Sequence, residues 1–316
     1  MNDFEPTPCE PWRDPASPPD SDPPPCEQPG DGPADLFASW QGPEQMHPRR
    51  IPHFGHLCLL MTLALIGLMC AVALILIALH FHLFGVTSTT RAATDIHYIL
   101  GEEAVLYLVT LALSLAVFPL FWNKSFFAGI QWHGTTAFRL RWRLFAIAAG
   151  CFGLAALDEM LLPGPANAPI EEIFRSPSAA WLMFGFGVTL APLFEEIAFR
   201  GFLLPALATA CDWTAERFAH TPPRPLTDDG DPQWSLAAMA IASVATSLPF
   251  ALLHGEQTGH ALGPLILLIV ISLILCAVRL KTRSLAASAL VHASYNFLLF
   301  SLMMIGTGGF QHLGKM

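Results

Sequence analysis

Seven long apolar runs constrain this chain more than any single motif does. They can be read at residues 57–79, 102–122, 144–163, 179–210, 235–254, 262–280 and 285–306, each close to or above the roughly 20 residues that carry an α-helix across hydrocarbon. The expected fold class is therefore an all-α polytopic membrane protein, a bundle of about seven transmembrane helices. The composition agrees: 53% of the residues are hydrophobic and only 13% are charged, a balance typical of membrane chains. The first apolar run starts only at Leu57, so no cleavable signal peptide is expected.

The residues ahead of the first run are a different material. Residues 1–46 hold ten acids against the single base Arg13, so this stretch carries the whole formal charge of −9. Proline recurs through it, including Pro23-Pro24-Pro25. Such a segment buries too little apolar surface to offset chain entropy, and a disordered, solvated tail over 1–50 is expected. Residues 51–178 then read as N-terminal transmembrane helices, 179–306 as a second transmembrane core and 307–316 as a short tail.

Basic residues set the expected orientation. Arg49 and Arg50 precede the first run, Lys124, Arg139, Arg141 and Arg143 follow the second, and Arg279, Lys281 and Arg283 follow the sixth. With seven spans all three clusters fall on the side of the N-terminus, which is expected in the cytoplasm. The seven cysteines show no metal-binding spacing and suggest no disulfide framework.

Ionisable residues inside such runs are costly and need a reason. Glu102 and Glu103 are expected to open the second helix, where acids meet the helix dipole. Asp158 and Glu159 are expected at the outer interface, just before Pro163-Gly164. Three clusters resist that reading. In "FEEIAFRGFL" (Phe194 to Leu203) Glu196 and Arg200 are i,i+4 neighbours able to pair on one helix face. Glu195 points about 100° away and lacks that partner, which leaves a desolvated carboxylate suited to act as a general base. In "PFALLHG" (Pro249 to Gly255) Phe250 and His254 share a face, and in "VHASYN" (Val291 to Asn296) so do His292 and Asn296. Together these residues supply a base, two imidazoles and an amide, the inventory for activating water against a carbonyl and holding the oxyanion. No serine or cysteine accompanies them as an evident nucleophile, and no HExxH, GxGD or GxSG sequence is present. "EEIFR" (Glu171 to Arg175) is one residue shorter than the real cluster and lies between Pro169 and Pro177, where a surface helix is expected.

The order Glu195-Glu196-xxx-Arg200, Phe250-xxx-His254, His292-xxx-Asn296 resembles the CAAX prenyl protease and bacteriocin-processing family, also called the Abi family. The resemblance covers about 179–300. It implies an integral-membrane endopeptidase acting on a membrane-associated protein or peptide, such as a prenylated protein or a peptide precursor, with the bilayer and no nucleic acid as partner. Carried over, Glu195 and His254 would activate water, His292 and Asn296 would stabilise the oxyanion, and Glu196, Arg200 and Phe250 would support the site. Metalloprotease chemistry is also described for the family, with Glu195, His254 and His292 as the ligands if zinc is bound; the preferred mechanism requires no cofactor. The opposing class is a non-catalytic immunity or scaffold protein built on the same bundle, and a proton-coupled transporter is a third. One geometric tension stands. His254 is expected near the outer end of its helix and His292 about 12 Å in from the cytoplasmic side, so the helices must tilt or break near Pro192 and Pro249 for the two to meet.

Overall fold

The computed structural model describes residues 50–162, 176–227, 230–255 and 257–310. The acidic tail, Cys9, Cys26 and the "EEIFR" segment lie outside these residues. The seven expected apolar runs all form helices long and apolar enough to cross a membrane. The first three are α1 (Phe54–His80), α2 (Ile96–Trp122) and α3 (Gly134–Leu161). The fourth is segmented into α4 (Pro177–Val188), α5 (Leu190–Glu196), a π-helical stretch (Ile197–Leu203) and α6 (Leu204–Phe218). The last three are α7 (Leu236–Leu253), α8 (Leu262–Thr282) and α9 (Leu285–Gly306). Among the described residues there is no strand, only one isolated bridge between Leu226 and Pro232.

Packing follows the side chains available. α1 lies against α2, and a Cβ at Gly67 would come within 2.7 Å of Thr110 Oγ1 and 2.8 Å of the Leu106 carbonyl. A residue without a side chain lets these two backbones approach, as in other membrane helix pairs. Large apolar side chains such as Met61, Leu65 and Met69 stay exposed on the outside of the bundle, where a bilayer makes exposure favourable. Inside, Phe118, Trp122, Phe126, Ile130, Phe202 and Leu285 form one buried cluster. It closes the side of the bundle where the α2–α3 connection folds back.

Two details of register resolve the height mismatch. The side chain of Asp212 on α6 accepts hydrogen bonds from Ser235 N (2.9 Å) and Ser235 Oγ (2.6 Å), which fixes the start of α7 against α6. From that pin, Glu195 lies about 25 Å back along its chain and His254 about 28 Å onward, at ~1.5 Å per residue. The two therefore reach the same level. α9, in turn, begins inside the bundle. Ser284 and Leu285 are fully buried, Leu285 N donates to Gln131 O (3.0 Å) and Ser284 Oγ donates to His133 O (2.9 Å). His292, two turns into the helix that starts from this sunken position, comes level with Glu195 and Glu196.

The breaks expected near the two prolines occur at one of them. The fourth span breaks at Thr189 (φ −117°, ψ −75°), three residues ahead of Pro192. α7 runs unbroken through Pro249. The expected start of the second helix also needs correction. α2 begins at Ile96, where Asp95 Oδ1 accepts from His97 N at 2.9 Å. Glu102 and Glu103 therefore lie nearly two turns inside the helix and cap nothing.

Candidate active site

The motif residues come together where α5, the π-helical stretch, α7 and α9 meet. Glu196 and Arg200 are both fully buried and paired, with Arg200 Nη1 to Glu196 Oε1 at 2.9 Å. Neighbours match most of the rest of each charged group, while Arg200 Nε has no hydrogen-bond partner among the described residues. Arg200 Nη2 donates to Ser272 Oγ (2.6 Å) and Ser272 O (3.3 Å) on α8. Glu196 Oε2 accepts from Ser288 Oγ, and His292 Nδ1 lies 3.1 Å from Glu196 Oε1. The guanidinium also sits over the ring of the buried Phe250, 4.3 Å from its centroid, a cation–π arrangement favoured where water is excluded. Phe250 thus acts as a lid on the ion pair and also touches both imidazoles, at 4.8 Å from His254 and 5.9 Å from His292 between ring centroids.

Glu195 faces the other way, as the 100° turn requires. Its Oε2 lies 3.7 Å from His254 Nε2 and 3.8 Å from His292 Nε2. That oxygen is buried and has no hydrogen-bond partner among the described residues. The two imidazoles are oriented from behind. His254 Nδ1 is 2.8 Å from Phe250 O, and a carbonyl can only accept, so Nδ1 carries the hydrogen. An ionised Glu196 likewise can only accept, so His292 donates to it from Nδ1. In their neutral forms both rings then turn a bare Nε2 towards Glu195 Oε2. Three acceptor atoms converge, the setting in which a bound water supplies the protons.

Asn296, one turn beyond His292, also serves the backbone. Its Nδ2 donates to Gly187 O at 2.8 Å, a carbonyl left without its helical partner by the break at Thr189. A Cβ at Gly187 would come within 2.8 Å of the Phe300 ring, so the close approach of α4 to α9 also depends on glycine there. Local backbone irregularity surrounds the carboxylates on both sides: the break precedes them and the π-helical stretch follows. π segments recur at functional sites because they rotate side chains out of the ordinary register.

Zinc has suitable donor types here, two imidazoles and a carboxylate, each imidazole held from its other nitrogen. The spacing is less suitable. Ligands about 2.0–2.1 Å from a tetrahedral zinc lie roughly 3.3 Å apart, and the Glu195 contacts to the two imidazoles are wider, at 3.7 and 3.8 Å. Among the described residues no group of three or more His, Cys, Asp or Glu comes together tightly enough to hold a metal.

Several residues of this centre were not singled out in the sequence. Ser288 stands one turn before His292 on the face that carries Asn296, so a spacing of four was there to be read. Ser272 gave no signal beyond being a hydroxyl in an apolar run. Tyr107, on α2, stacks on Phe194 with ring centroids 4.2 Å apart and planes 12° apart.

Residues 177–298 match the family model described as Rce1-like: type II CAAX prenyl endopeptidase Rce1-like. All seven motif residues fall within that segment, and the match agrees with the resemblance carried by their order and spacing. It supports a membrane-embedded protease of the CAAX-protease type. No curated protein and no solved structure matches the chain.

Proposed function

We propose that this chain, with its Rce1-like segment at 177–298, is an intramembrane endopeptidase that hydrolyses a peptide bond by direct attack of water. The observation that carries the reading is the meeting of Glu195 Oε2 with His254 Nε2 and His292 Nε2, at 3.7 and 3.8 Å, around an oxygen with no other partner among the described residues. With His292 charged, a water held there has Glu195 Oε2 and His254 Nε2 as acceptors for its two protons and a lone pair directed outward.

The step balances with these residues and one proton that His292 takes up from solvent beforehand. As the water oxygen bonds to the scissile carbonyl carbon, Glu195 takes one proton, and His254 orients the water through Nε2. The charge moves onto the carbonyl oxygen. His292, which enters the step already carrying a second proton on Nε2, and the second amide hydrogen of Asn296 donate to it. The C–N bond then breaks, and Glu195 returns its proton to the leaving nitrogen. Glu196, Arg200, Ser272 and Ser288 keep the imidazole of His292 and the turn carrying Glu195 in place. The step uses no zinc. Metal content of the active, detergent-purified protein tests this directly: stoichiometric zinc, with activity lost to a chelator and restored by zinc, overturns the metal-free step.

The substrate class is a membrane-associated protein or peptide, reached from within the bilayer, with a prenylated C-terminus or a peptide precursor as the two candidates. The N-terminus is assigned to the cytoplasm from the three basic clusters. New peptide termini in membranes containing the wild-type chain, compared with Glu195→Gln, test the activity whichever substrate is cut. Termini that depend on Glu195 support a peptidase. An identical set in both membranes favours the immunity or scaffold reading.

A further inference from the structure

With His292 neutral, the oxyanion side of this site has a single motif donor, the free amide hydrogen of Asn296. The break at Thr189 frees the last carbonyls of α4, and each visible cap is specific. Thr189 Oγ1 donates to Gly185 O (2.6 Å), Thr189 N donates to Phe186 O (3.2 Å) and Asn296 Nδ2 donates to Gly187 O (2.8 Å). One of the two amide hydrogens of Asn296 is therefore held by the backbone. His292 spends its Nδ1 hydrogen on Glu196 and donates from Nε2 only when the ring is charged. The second amide hydrogen of Asn296 is thus the one neutral donor the three motifs offer that always carries its hydrogen.

α2 brings a second to the break. The ring of Tyr107 lies nearly parallel to Phe194 (4.2 Å, 12°) and to Phe186 (5.9 Å, 19°). Those two phenylalanines stand on either side of Thr189, and Phe194 is the chain neighbour of Glu195. Tyr107 lies within reach of the charge on Glu195, and Glu103 precedes it by one turn on the same face of α2. Glu103 in turn interacts with Glu195. This face of α2 is thus turned to the catalytic carboxylate. The Tyr107 hydroxyl has no hydrogen-bond partner among the described residues. The stack needs only an aromatic ring and would serve equally with phenylalanine; the hydroxyl is surplus to packing, and a half-buried tyrosine ordinarily finds a partner for it.

We propose that Tyr107, which lies outside the matched segment, is a catalytic residue whose hydroxyl donates a hydrogen bond to the carbonyl oxygen of the scissile peptide and holds it as the oxyanion forms. No bond to Tyr107 is made or broken, and it keeps its proton throughout. The inference rests on the peptidase reading above, and it gives the oxyanion a donor from a helix that the family motifs do not include.

The test uses full-length protein in membranes and follows the Glu195-dependent peptide termini in wild type, Glu195→Gln, Tyr107→Phe and Glu102→Gln. Glu102 lies on the side of α2 that lines a cavity against α1 and serves as the control. Tyr107→Phe keeps both stacks. The expected result is a loss of product formation by about 10²-fold, the usual effect of removing one oxyanion donor, with the melting temperature and Glu102→Gln unchanged. With the identified peptide and purified protein the loss falls on kcat, leaving KM near its original value. Wild-type rates in Tyr107→Phe alongside inactive Glu195→Gln overturn the inference and leave the peptidase reading standing. A rate loss accompanied by a lowered melting temperature also overturns it, since the hydroxyl would then be structural. If Glu195→Gln retains every terminus, the peptidase reading fails and the role of Tyr107 falls with it.

Discussion

Glu195 and Glu196 are neighbours in the chain and live in opposite surroundings. Glu196 is sealed: its side chain is fully buried, Arg200 neutralises it, and Ser288 and His292 occupy its remaining acceptor positions. Glu195 is open: its Oε2 faces two imidazole nitrogens at 3.7 and 3.8 Å and bonds to neither. His292 belongs to both regions, giving Nδ1 to the sealed carboxylate and Nε2 to the open one. The difference separates two uses of a charge in hydrocarbon. A buried charge that is paired and hydrogen-bonded fixes geometry. One that is left partly unmatched retains the capacity to bind and move protons.

The comparison is broken most severely at Glu195. Glu195→Gln keeps the shape and removes the base, and activity is expected to fall by about 10³-fold, within the range for loss of a general base, while the melting temperature in detergent stays at the wild-type value. Rates of peptide release together with thermal unfolding check both halves. Glu196→Gln reverses the pattern. It strands Arg200 in a low-dielectric site, and a loss of about 3 kcal/mol of stability is expected, as for other broken buried pairs. A variant as stable as wild type in a denaturation curve would contradict the sealed network. Ser288→Ala removes one donor from the same carboxylate, and the expected loss is smaller, about 1–2 kcal/mol, read as a modest drop in melting temperature. The smallest effect is expected at the acidic tail. Deleting residues 1–46 should leave both the unfolding temperature and the activity of the purified protein nearly unchanged, and a collapse of activity would bring the tail into the site.

What could be read in the sequence follows the same division. Apolar runs of membrane length are a local property, so all seven helices were legible, with starts displaced where polar turns remain helical, by six residues at Ile96 and by ten at Gly134, which puts Arg139, Arg141 and Arg143 on α3 itself. The Glu196–Arg200 pair was legible too, because an i,i+4 spacing lies within one helix. Contacts between helices were not. Nothing in the chain announces that Ser272 caps Arg200, or that the start of α9 is sunk into the bundle by the Gln131 and His133 carbonyls. Pro192 and Pro249 look alike as helix breakers. The chain breaks ahead of the first, where Thr189 and Asn296 cap the freed carbonyls, and passes through the second unbroken. Glu103 reads as a first-turn acid only because His97 and Gly101 interrupt the apolar pattern and hide the true start of α2.

The central claim is that Glu195 activates water and never bonds to the substrate itself. A single turnover in ¹⁸O-labelled water, with mass analysis of both the product and the enzyme, tests it most directly. Direct attack places one ¹⁸O in the new carboxyl terminus of the first product and leaves the Glu195 carboxylate unlabelled. Label in Glu195, with an unlabelled first product, would mean that Glu195 is a nucleophile passing through an acyl anhydride, and would contradict the account.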